Sequence, residues 1–138
     1  MSNPSSTLLH DCEVNGCWHA LHAIKYGVFA DCFPRGINFS DLDAIVEING
    51  SVLALEWKSN DHRLSTGQRL LYERLASKSH ITTIIVIGNA ETMEVTKFRA
   101  LTPTSPNTYA YTPWIEGDLD ALKSLITEWV GAIERREK

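Results

Sequence analysis

Several things are scarce or missing in this 138-residue chain, and each narrows what it can be. No apolar run approaches the ~18 residues that a membrane span needs, so a membrane partner is not expected. There is no Gly-rich phosphate loop. There is no Gly-x-Ser-x-Gly element, which disfavours a Ser/His/Asp hydrolase. The three cysteines, Cys12, Cys17 and Cys32, are an odd number and follow no secretory signal. A reduced, cytoplasmic setting is the natural reading. With His10, His19 and His22 they suggest zinc, but their spacing matches no paired short-knuckle pattern, and buried small side chains with scattered surface histidines account for them better. Positive charge is not in excess either: 13 basic against 17 acidic residues give a net charge of −4. That weighs against binding by electrostatics alone. It does not exclude a nucleic-acid enzyme, which needs a local acidic cluster for metal and basic residues elsewhere. Lys58, Arg63, Arg69, Arg74 and Lys78 do fall close together.

What remains is ordinary for a globular protein, with 43% apolar and 22% charged residues. The length fits one domain with a single core. Residues 1–7 read as a loose tail. Leu9, Val14, Trp18, Leu21 and Ile24 recur at helical spacing and predict a helix from Leu8 to about Lys25. A short strand is expected within residues 26–36, before the break at Pro34–Gly36. Residues 43–48 and 51–58 predict two strands. A polar loop, 59-SNDHRLSTG-67, leads to a helix from Ser65 or Thr66 to about Ser77, with Leu70, Leu71 and Leu75 inward. Then 81-ITTIIVIG-88 predicts a buried strand and 93-MEVTKFRAL-101 an edge strand. Residues 102–117, with three prolines, predict a long loop, and 118–136 an amphipathic C-terminal helix.

The informative stretch is 40-SDLDAIVEINGSVLALEWKSN-60. Asn49-Gly50 between alternating apolar runs is a strong hairpin signal, because a type I′ turn needs two residues tolerant of positive φ. On a two-residue turn, Ile48 faces Ser51, Val46 faces Leu53 and Ala44 faces Leu55. Continued outward, Asp43 faces Glu56 and Asp41 faces Lys58. Period 2 puts Glu56 and Lys58 on one face and Trp57 on the other. Opposed carboxylates destabilise a sheet unless something bridges them. A hard divalent cation does so, with the Trp57 carbonyl as a further oxygen ligand. An adjacent lysine then positions a water or offsets phosphate charge. The competing reading is a solvated sheet face with a simple ion pair. It is strained by the apolar company of Ile45, Val52 and Ala54 on the same face.

Asp43, the hairpin, Glu56-Trp57-Lys58 and then a helix carrying Gln68 resemble the ordered motif of the PD-(D/E)XK nuclease superfamily. The text 56-EWKSNDHRLSTGQRLLYERL-75 looks closest to stand-alone VRR-NUC nucleases and phage-encoded relatives. The Asp-to-Glu spacing is also similar to that of Holliday junction resolvases. Gln68-x-x-x-Tyr72 resembles the Gln-x-x-x-Tyr element of the RecB-like branch. The resemblance covers about residues 34–90. It departs from the pattern at Leu42, where a proline is usual, and in the second acid, Asp41, which replaces Asp43 as ligand if the register slips by two residues.

The resemblance implies an α/β, restriction-endonuclease-like αβββαβ core, with a mixed sheet between helices and a C-terminal helix added. It implies Mg²⁺, with Mn²⁺ as a substitute, held by Asp43 and Glu56. Lys58 would be the catalytic lysine, and Gln68 would orient a water or bind the phosphate. Glu13 on the first helix is a candidate to complete the site; a solvated glutamate is the alternative. Arg35, Arg63 and Arg69 are candidate phosphate contacts, against ordinary solvated arginines. His62 is a candidate acid or an incidental loop histidine. Tyr72 either faces the core or hydrogen-bonds to the site. The expected activity is metal-dependent hydrolysis of DNA, branched or structured, by a homodimer, with RNA less favoured. A non-catalytic nucleic-acid-binding or inhibitor protein on the same scaffold is the alternative.

Overall fold

The computed structural model describes residues 25–60 and 62–136. The chain divides into two compact units, Met1–Phe39 and Ser40–Lys138. The expected tail, and the expected first helix with Glu13, lie outside the described residues apart from Lys25.

In the first unit, Tyr26–Cys32 is a 3₁₀ helix, not the expected strand. YGVFADC has no period-2 alternation, and the Val28 N–H bonds back to the Lys25 carbonyl at 3.2 Å. Phe39 gathers three aromatic rings: Phe33 and Phe29 meet it edge-on at 5.3 and 5.5 Å, and Tyr26 is tilted at 6.2 Å. Arg35 sits in the turn after Pro34 with φ +56°, followed by Gly36 at +75°.

The second unit is an α/β structure around a mixed six-stranded sheet. The strands are β1 (Ala44–Ile48), β2 (Ser51–Lys58), β3 (Thr82–Asn89), β4 (Glu94–Pro103), β5 (Tyr109–Tyr111) and β6 (Ile115–Glu116). Their order is β1-β2-β3-β4-β5, with β6 also on β4. The β1–β2 hairpin has the expected register, Ile48 opposite Ser51 through Ala44 opposite Leu55. Its turn is held by Asn49 at φ +50° and Gly50 at +87°, a conformation that costs glycine nothing. β2 and β3 are parallel, joined by helix α1 (Thr66–Ser79). That is the βαβ crossover a parallel pair requires.

Strand β4 is interior, not an edge: it pairs with β3 on one side and with β5 and β6 on the other. Those two partners replace the expected 102–117 loop. They have three and two residues, too short to show a period. A bulge separates Ile87 from Gly88. A side chain at Gly88 would meet the Glu94 carbonyl oxygen at 2.2 Å, so only glycine permits this crossing.

The sheet buries both faces. Leu53, Ile84, Val86, Phe98 and Ala100 form one side with Leu122 of the C-terminal helix α2 (Leu119–Arg136). On the other side Leu101 packs with Tyr72 and Ala76 of α1. The buried positions of α1 are Tyr72, Glu73, Ala76 and Ser77, not the expected leucine stripe. Leu71 and Leu75 are only partly buried beside them. This helix therefore turns a half-polar face to the sheet. That is unusual for packing alone, and it is the face that builds the site.

Candidate active site

Alternation along β2 sends Ala54, Glu56 and Lys58 to the α1 side of the sheet. Glu56 is 3% exposed. An ionised carboxylate so deeply buried is costly unless it is paired and hydrogen-bonded. Three side chains meet that need. Tyr72 donates its hydroxyl to Oε1 at 2.5 Å, Gln68 donates Nε2 to Oε2 at 3.3 Å, and Lys58 Nζ stands 3.2 Å from Oε2. Tyr72 is fully buried, so it is both core and site residue, joining two roles set out above as alternatives. Burial, its hydrogen bond to Glu56 and the charges of Glu56 and Asp43 raise its pKa far above the usual tyrosine value, so it remains a donor.

Gln68 is fixed twice. Its backbone N–H donates to the Ser65 hydroxyl, and its own Oε1 accepts the Ser65 N–H, both at 3.1 Å, in a capping box. The remaining Nε2 is thereby aimed at Glu56. A glutamate would close the same box but place a second carboxylate against Glu56.

Asp43 reaches this cluster by a route different from the expected cross-strand pair. The β1–β2 ladder ends at Ala44–Leu55, and Asp43 stands in a bend. Its Oδ2 accepts the Trp57 N–H at 2.7 Å, replacing the next ladder carbonyl. In a strand the N–H and C=O of one residue leave on the same side. The Trp57 carbonyl therefore leaves β2 on the β1 side, beyond the last ladder pair. Asp43 is near enough for its charge to act on Tyr72. The expected pairing of Asp41 with Lys58 does not form; Lys58 pairs with Glu56 on its own strand. Glu47, opposite Val52, shares the face said above to be apolar, and it accepts the Gly50 N–H at the turn.

Among the described residues no group of three or more His, Cys, Asp and Glu side chains is placed to hold a metal. The donor set is two carboxylates and a main-chain carbonyl, all hard oxygens. It fits Mg²⁺, which binds through one or two carboxylates and otherwise keeps waters or takes substrate phosphate oxygens.

Lys58 opens from this cluster into a cleft of about 630 Å³ lined by Asn60, His62, Arg63, Arg69, Lys97, Arg99 and Trp114, among others. Among the described residues, five cations and no acid line it. Arg63 and Arg69 are thus brought to the site, with His62 at the rim. Arg35 belongs to the first unit, and exposed Arg74 is not among the lining residues. Lys97, Arg99 and Trp114 were not singled out from the sequence. The available signal was the alternation in Lys97-Phe98-Arg99, which sends both cations to the face opposite buried Phe98.

A second buried carboxylate steadies one cleft wall. Glu73, 7% exposed, accepts from Arg69 Nη1 at 3.0 and 3.2 Å and from the Tyr111 hydroxyl at 2.8 Å. Burial acts to raise its pKa, but the bonds from Tyr111, Arg69 and Tyr109 outweigh it and hold the pKa below the usual glutamate value. A lowered folded-state pKa means stability present above the unfolded value and lost as pH falls through the folded one. Urea midpoints should therefore decline below about pH 4.5, and Glu73→Gln should remove part of that decline. An unchanged acid profile in Glu73→Gln would count against this network. The chain matches no family model, no curated protein and no solved structure.

Proposed function

We propose that the protein is a metal-dependent phosphodiester hydrolase acting on DNA, built on a restriction-endonuclease-like core. The observation that carries this reading is the convergence of Lys58, Gln68 and Tyr72 on buried Glu56, beside Asp43 and next to a cleft whose charged lining, among the described residues, is five cations. A chain of net charge −4 that concentrates five cations in one cleft has a polyanion as its natural ligand.

Asp43, Glu56 and the Trp57 carbonyl would hold Mg²⁺, which supplies Lewis-acid polarisation of a phosphate oxygen and a more acidic water. Tyr72 keeps the Glu56 carboxylate oriented and remains protonated while doing so. Gln68 fixes the other oxygen. Lys58, bonded to Glu56 at one end and open to the cleft at the other, faces a bound phosphate. There it steadies the negative charge that grows as water attacks in line. Arg63 holds a neighbouring phosphate, and Arg69, paired with Glu73, adds positive charge to that wall of the cleft.

The direct test is incubation with single-stranded, duplex, flapped and four-way DNA in Mn²⁺ or Mg²⁺, read on denaturing gels. The expected result is cleavage that EDTA abolishes and added metal restores. Binding without cleavage on every substrate would instead favour a non-catalytic nucleic-acid-binding module.

A further inference from the structure

The far wall of the cleft does not belong to the hydrolytic cluster. Register places Glu56 beside Ile85 and Ile85 beside Arg99; the next row runs Lys58, Ile87, Lys97. Arg99 is therefore two strand spacings from Glu56, about 10 Å. Its guanidinium lies over the Tyr111 ring at 4.6 Å and the Trp114 ring at 4.8 Å. Nε and Nη2 both donate to the Thr112 carbonyl, at 3.1 and 3.0 Å, which fixes the plane of the group. Lys97 Nζ stands 4.8 Å from the Trp114 ring centre. Trp114 is nevertheless 38% exposed and lines the cleft. An indole that carries two cations and is still partly open on the cleft leaves aromatic surface available to a flat partner.

We infer that this wall is a stacking subsite for an unpaired DNA strand: a base lies on Trp114 while Lys97 and Arg99 hold its flanking phosphates. This rests on the hydrolase reading for the position of the reacting phosphate, though not for the binding itself. A cationic groove with an aromatic platform is the recurring design for single strands, because every base has a flat face to stack. A cleft of about 630 Å³ is in the size range that takes one small molecule or a splayed nucleotide. The ~10 Å between the Glu56 and Arg99 backbones is a short reach along an unpaired strand, whose phosphates lie further apart than those of a stacked duplex. The stacked base therefore sits that far along the strand from the phosphate at Lys58. The substrate class implied is DNA with a short unpaired segment, such as a flap or overhang.

The test is fluorescence anisotropy in EDTA, at fixed salt, with labelled oligo(dT), a blunt hairpin duplex and oligo(U) of matched length. Wild type should bind oligo(dT) at least tenfold tighter than the duplex. Trp114→Ala should lose about 5- to 150-fold, and Trp114→Phe should recover most of it. Lys97→Ala and Arg99→Ala should each reduce the salt slope by about 0.7. Equal or tighter duplex binding, full-strength binding by Trp114→Ala, or a clear preference for oligo(U) would each overturn the inference. Because no metal is present, single-strand binding without cleavage in the Mg²⁺ assay sinks only the hydrolase reading. Cleavage accompanied by duplex preference sinks only the stacking subsite.

Discussion

Lys58→Ala should lower Mg²⁺-dependent cleavage by roughly 10²- to 10⁴-fold, the range for loss of a positioned acid–base or charge-stabilising group. The reasoning is geometric. Lys58 bridges the carboxylate cluster and the cleft, with its side chain 20% exposed and its ammonium 3.2 Å from Glu56. Among the described cations it is the one that contacts Glu56 and also lines the cleft. Arg69 lines the cleft as well, but is turned to Glu73. Glu56→Gln should be as damaging, because an amide keeps the volume and loses the charge that pairs with Lys58 and, on the proposed function, would hold the metal. Fold loss is a separate matter, read by circular dichroism and thermal midpoint. Single-turnover rates compared at matched folded fraction make the decision. A Lys58→Ala protein that cleaves at the wild-type rate would end the assignment.

Tyr72→Ala should be the most destabilising substitution on α1, by about 3–5 kcal/mol, typical of truncating a buried aromatic. Tyr72 is fully buried against Leu101 and Ala76, so little can collapse into the void. Out of a total stability near 5–15 kcal/mol this is a large share, enough to lower the thermal midpoint by about 10 °C or more. Tyr72→Phe separates packing from hydrogen bonding. It keeps the ring and removes the donor to Glu56, which should cost about 1.5–3 kcal/mol, as for hydrogen bonds to charged groups. The pH profile carries a signature. A folded pKa raised above the unfolded value of 10.0 means stability present below pH 10 and declining above it, and the decline should weaken in Tyr72→Phe. Urea unfolding at pH 7 and pH 10.5 measures both effects. A Phe variant as stable as wild type would show that the hydroxyl contributes nothing to the fold.

Parts of this structure could be read from the chain and parts could not, for identifiable reasons. The β1–β2 hairpin follows from two residues, Asn49 and Gly50, whose conformational tolerance sets the turn and hence the register. Glu56, Lys58, Gln68 and Tyr72 are legible as a group because strand period and helix period place them on facing surfaces. Asp43 meets β2 in a way different from the expected cross-strand pair with Glu56: its carboxylate imitates a strand carbonyl, a detail no periodicity encodes. The interior position of β4 was hidden because its outer partners are too short to leave a pattern. The inner face of α1 was misjudged because hydrophobicity points to leucines, whereas burial there serves a hydrogen-bonded network. The basic cleft was the least visible, since Lys58, Arg69 and Arg99 lie on three elements that only the sheet order brings together.

The double anchoring of Gln68 has a consequence for how the protein loses activity. The amide that caps the start of α1 is also the one that donates to Glu56, so the cap and the carboxylate contact share one side chain. On the proposed function, a chain in which α1 has melted has lost the contacts from Gln68 and Tyr72 that orient Glu56, so its hydrolytic activity would vanish with the helix and not outlast it.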